Sequence, residues 1–129
     1  MSEHTEQCAV IDWADAHADK YLPLGWIYAI PNGASTGAIG KNKLKAEGLK
    51  PGVADLCLPA ARQDYHGLYI EMKLKGGKVS EGQNEFLAYL ETEQYLGVVC
   101  FSAAEAIEQL RWYLGIGECL CIACQIADA

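Results

Sequence analysis

The spacing of apolar and polar positions changes several times along the chain, and each change marks an element. Over residues 3–19, "EHTEQCAVIDWADAHAD", Cys8, Ile11, Ala14 and Ala18 recur at helical spacing and predict an amphipathic helix. "GWIYAI", residues 25–30, predicts a strand stopped by the turn formers "PNG". Residues 36–47 predict a loose helix, weakened by Gly37 and Gly40 and ended by Gly48. After the turn signal "KPG", "VADLCL" (53–58) predicts a short strand with Val53, Asp55 and Cys57 on one face and Ala54, Leu56 and Leu58 on the other. "GLYIEMKLKGG" (67–77) predicts a strand running into a Gly-Gly turn, with Leu68, Ile70, Met72 and Leu74 opposite Tyr69, Glu71 and Lys73. A helix opening at "SEGQ" (80–83) carries Phe86, Leu87 and Leu90 toward the core. "GVVCF" (97–101) is a continuous apolar run, as in a strand covered on both faces. "SAAE" (102–105) then matches a capping box ahead of the amphipathic "AIEQLRWYL". This order predicts an α/β fold with a central mixed sheet of about four strands between helices.

Composition narrows the class. A chain of 129 residues that is 51% hydrophobic suits a single domain with its own core. No low-complexity segment, secretory signal or apolar run of membrane-spanning length interrupts it, so a cytoplasmic protein is expected. Six cysteines are then read as reduced thiols. The tail "CLCIAC" holds Cys119, Cys121 and Cys124, but a closed zinc site wants four ligands and the only histidines are His4, His17 and His66. A buried apolar tail fits that alternation better. The net charge of −7 hides an uneven distribution: residues 41–78 hold eight basic against four acidic side chains. Such a segment offers a local phosphate-binding face, although a solvated lysine-rich face gives the same count.

The chemistry centres on the two middle strands. Asp55 and Glu71 lie on consecutive strands, which usually neighbour one another, so their carboxylates can converge. Lys73 shares the face of Glu71. An E-x-K in a strand is ordinarily a solvated outer face; two carboxylates held close, however, repel unless a cation lies between them, and oxygen ligands favour a hard ion such as Mg²⁺ or Mn²⁺. Asp, Glu and Lys so placed suit metal-assisted phosphodiester hydrolysis. "STGAIGKN" (35–42) approaches a phosphate-binding loop but has Ser35 for the first glycine and Asn42 for the final Ser/Thr, which excludes a nucleotide cofactor.

"PGVADLCLP", "YIEMK" and "KVSEGQ", in this order, resemble the PD-(D/E)XK nucleases and, within them, the virus-type replication-repair branch, the VRR-NUC domain. The resemblance extends to Glu3 and Gln7 as E-x-x-x-Q, to "AIPNG" (29–33) and to "KAEGLKPGV" (45–53), and covers nearly all of residues 3–114. It implies a restriction-endonuclease-like core in residues 1–114, with an apolar Cys-containing tail over 115–129. It also implies a metal held by Asp55, Glu71, the Met72 carbonyl and Glu3. Lys73 would act on the attacking water and the phosphorus, and Gln83 on water or phosphate, while Gln7 and Lys75 would contact substrate. Gln83 has a second reading as the last residue of a capping box, and Glu6 is the substitute for Glu3 in another helical register. Stand-alone members of the family imply a homodimer cutting branched DNA, four-way junctions included, in the cytoplasm of a bacterial or phage-infected cell. One position departs from the pattern: Ala54 stands where the family usually has proline. A non-catalytic DNA-binding or assembly module of the same fold is the rival reading.

Overall fold

The structure, a computed structural model, describes residues 2–32 and 37–116. Helix α1 (Glu3–His17) is opened by Ser2, whose hydroxyl accepts from the Thr5 amide. Its deepest positions are Val10 and Ala14, one turn apart; of the stripe predicted from spacing, Ala14 and Ile11 pack on the core and Cys8 does not. Cys8 faces outward, its thiol 3.6 Å from His4 Nε2. A single 3₁₀ segment (Leu22–Trp26), begun by Pro23, occupies the start of the expected first strand, so β1 is only Tyr28–Ala29. Helix α2 (Ala38–Ala46) ends as expected at Gly48, where φ is +112° and the Leu49 amide reaches back to the Leu44 carbonyl.

Strands β2 (Leu56–Leu58) and β3 (Leu68–Met72) follow, then α3 (Glu81–Thr92), β4 (Leu96–Cys100) and α4 (Ala103–Leu114). The sheet order is β1-β2-β3-β4, with β1-β2 and β2-β3 antiparallel and β3-β4 parallel. The fold is therefore the mixed α/β sheet predicted. Leu56, Leu58, Leu68, Ile70 and Met72 line one face and pack with Val10 and Ala14 of α1 and Ala106, Leu110 and Tyr113 of α4. Complete burial of a side chain of that size contributes about 1.5–3 kcal/mol, which pins the register of both middle strands.

Helix α3 covers the β3–β4 half of the opposite face, where Phe86 meets the Tyr69 ring edge-on and Leu87 and Leu90 close over Gly97. β4 is half-buried apart from Cys100, because it is an edge strand rather than an interior one. Ser102 caps α4 through the Glu105 amide, while the Glu105 carboxylate accepts from Phe101, one residue before the cap. Tyr113, fully buried, donates its hydroxyl to the Ala60 carbonyl at 2.6 Å and ties α4 to the β2–β3 connection. Tyr113 and Ile116 thus pack on the chain's own core. Cys119, Cys121 and Cys124 lie outside the described residues.

Candidate active site

Leu56 pairs with Ile70, so the residues next in line, Asp55 and Glu71, stand opposite each other across β2 and β3. Two ladder bonds hold the Asp55 backbone extended: its amide donates to the Ile70 carbonyl at 3.0 Å, and its carbonyl accepts from Ile30 at 2.8 Å. Ala54, buried at the position where proline was expected, leaves both in place. The Asp55 carboxylate is fixed separately, since Oδ2 accepts the Met72 amide at 2.7 Å. Met72 therefore contributes its N–H to the site, where the sequence had suggested its carbonyl.

Glu71 is 4% exposed. Its Oε1 accepts from Gln83 Nε2 and lies 3.8 Å from Lys73 Nζ, while its Oε2 is buried without a hydrogen-bond partner. Burial, followed by the charge of Asp55, pushes its carboxyl up to about 7; Lys73 pulls the other way, and the charge of Glu3 adds to the rise. An orphaned carboxylate oxygen beside a second carboxylate is costly in a bare protein and is relieved by a cation.

Gln83 bears out its capping-box reading and adds a contact to Glu71 that the sequence did not suggest. Its Oε1 accepts the Ser80 amide at 2.8 Å and its own amide donates to Ser80 Oγ, completing the capping box, while the amide nitrogen of the same side chain reaches Glu71. The N-terminus of α3 is thus a clamp on Glu71. A backbone contact invisible in the sequence sets that clamp: Gly52, at φ +87°, lies so close to Gly82 that a Cβ there would stand 2.6 Å from the Gly82 carbonyl oxygen. The turn leading to Asp55 and the first turn of α3 are pressed together through two glycines.

The two candidate carboxylates of the first helix have different surroundings. Glu6 Oε1 accepts the Ala103 amide at 3.1 Å and so holds the start of α4. Glu3, exposed one turn earlier, is the α1 carboxylate whose charge acts on Glu71. Gln7 is half-buried on the same helix, and Lys75 is exposed two residues past Lys73. Among the described residues no three His, Cys, Asp or Glu side chains gather tightly enough to form a metal cluster by themselves. The centre is a pair of carboxylates, with Glu3 nearby.

The VRR-NUC domain profile matches residues 1–104 of this chain. A solved structure described as a "VRR_NUC domain protein" superposes with a TM-score of 0.74 at 27% identity, over 91% of each chain. No curated protein matches the chain.

Proposed function

The chain belongs to the VRR-NUC domain family, a nuclease-type DNA-processing domain, and from that premise we propose that it is a divalent-metal-dependent endonuclease hydrolysing phosphodiester bonds in branched DNA. The observation that carries the metal-dependent reading is the buried, unpartnered Oε2 of Glu71 beside Asp55. Asp55, Glu71 and the Met72 carbonyl would hold Mg²⁺ or Mn²⁺, with Glu3 as an outer ligand. These are hard oxygen donors, and their mutual repulsion favours a small dication over an empty centre. The bound ion would supply Lewis-acid stabilisation of the phosphoryl oxygens and lower the pKa of water.

The protein's own groups have separable tasks. Met72 N–H and Gln83 each occupy one carboxylate oxygen and thereby aim the other. Lys73, tethered to Glu71 Oε1, presents a positive charge to oxygens that gain negative charge as the phosphorus becomes pentavalent. Lys75 and Gln7 are assigned to the DNA backbone flanking the site. No helix among the described residues is long and apolar enough to cross a membrane, and we assign the protein to the cytoplasm, where DNA is accessible.

The test is cleavage of linear duplex, flapped DNA and four-way junctions with Mg²⁺ or Mn²⁺, beside calorimetric titration of Mn²⁺. Asp55→Ala and Glu71→Ala are each expected to abolish cleavage and metal binding while circular dichroism stays unchanged. Cleavage surviving both substitutions would overturn the assignment.

A further inference from the structure

The strand register places a second polar row beside the carboxylates. Tyr28 of β1 pairs with Cys57 of β2, and Cys57 pairs with Tyr69 of β3, so the three side chains share one face. Cys57 lies two residues from Asp55, and Tyr69 two residues from Glu71, which puts this row on the carboxylate face, about 7 Å along the strands. That displacement is of the order of the step between successive phosphates of one nucleic-acid strand.

The row is organised. Cys57 is buried, on the strand paired with Tyr28 on one side and with Tyr69 on the other. Tyr69 is fixed by edge contacts with Phe86 and Tyr95, at ring centroid distances of 5.5 and 5.7 Å. Tyr28 is 50% exposed on the edge strand. Phenol hydroxyls are uncharged near neutral pH and donate hydrogen bonds to phosphate oxygens. Neither phenol has a part in the chemistry assigned to Asp55, Glu71 and Lys73.

We propose that Tyr28 and Tyr69, on the strands flanking Cys57, form a subsite that hydrogen-bonds the DNA phosphate next to the one cleaved; the proposal rests on the nuclease reading of the adjacent carboxylates. The contact positions the strand without adding charge. It therefore differs from a lysine contact in a measurable way, because a neutral donor releases no counterion when it meets a phosphate.

The experiment measures DNA binding in EDTA at several salt concentrations for the wild type, Tyr28→Phe, Tyr69→Phe and Lys75→Ala. Each phenylalanine variant keeps its ring packing, is expected to bind about three- to tenfold more weakly, and keeps the wild-type salt slope. Lys75→Ala should reduce that slope by about one. A scan of single methylphosphonates along the strand then locates the partner: at one position the wild type loses affinity and Tyr28→Phe loses nothing further. In Mn²⁺ the same variants should raise KM with kcat held. Wild-type affinity in both phenylalanine variants, or losses that add at every methylphosphonate position, would overturn the subsite. A wild type that never cleaves DNA would overturn the nuclease reading instead, and the metal-free binding cycle separates the two failures.

Discussion

Glu71 carries opposite demands, and its protonation shows which one prevails under given conditions. Because its folded pKa is raised to about 7, the protonated form contributes stability that is fully present below the unfolded carboxylate value and lost as pH rises through 7. The metal-free protein should thus lose on the order of 1–3 kcal/mol from this group between pH 5 and pH 8. Glu71→Gln removes the cost: in EDTA its Tm should match the wild type at pH 5 and exceed it by several degrees at pH 8. Mn²⁺ should stabilise only the wild type at pH 8, with one proton released per ion bound near neutrality. Parallel melting profiles for the two proteins would contradict this account. Lys73 lowers the Glu71 pKa, so Lys73→Met should shift the acid limb of the rate profile to higher pH as well as reduce kcat by about two to three decades, with DNA affinity little changed. An equal loss of affinity at constant kcat would make Lys73 a phosphate anchor. Alternation along the strands made Asp55, Glu71 and Lys73 legible as one face before any coordinates. The contact of Glu6 was not, because it depends on where the Ala103 amide of α4 arrives. Nor could spacing show that Gln83 serves cap and carboxylate together.

At the scale of elements, the site depends on a loop and a helix start held at contact distance by Gly52 and Gly82. Gly52→Ala both strains a left-handed backbone and drives a methyl group into the Gly82 carbonyl, so α3 must shift and take Gln83 from Glu71. Gly48→Ala is the matched control, since Gly48 also has positive φ but its Cβ would meet nothing within 4 Å. Both substitutions should cost about 1–2 kcal/mol of backbone strain in thermal melts, whereas only Gly52→Ala should also lose at least tenfold in kcat. Equal kinetic effects would show that the close approach does not position the clamp. Sequence patterning located α1, α3, α4 and the middle strands because each buries apolar side chains, and α2, which buries none, through the glycine that ends it. It overextended β1, where Pro23 starts a 3₁₀ turn and only Tyr28 and Ala29 remain to pair. It read "KPG" as a turn alone, because a glycine used for its missing side chain looks the same in sequence as one used for its φ. The phenol row was hidden for a related reason: Cys57 and Tyr69 were already on the carboxylate faces, but nothing local fixed the partner of Tyr28.

For the whole molecule, the decisive quantity is the number of sites. Each chain holds one Asp55–Glu71 pair, and one such centre cuts one strand at a time, so paired incision of a two-fold-symmetric junction requires two centres related by a two-fold axis. Charge bears on DNA in general rather than on its branching: the chain carries −7 overall, yet its basic residues concentrate over 41–78 of the sequence. Lys41, Lys43 and Lys45 lie on α2, a helix with no buried residue, and Lys73 and Lys75 follow the active strand. Exposed basic groups attract a phosphate backbone, while a net negative chain disfavours indiscriminate binding along duplex DNA. The expected outcome is a dimer by light scattering that places symmetric nicks on a mobile four-way junction and acts more weakly on linear duplex. Mixing wild type with Glu71→Gln sharpens the test, because heterodimers with one working centre should release singly nicked junctions where wild type yields resolved duplexes. If the protein is strictly monomeric and cuts linear DNA as readily as junctions, the dimeric, junction-directed reading falls and a single-centre metal nuclease remains.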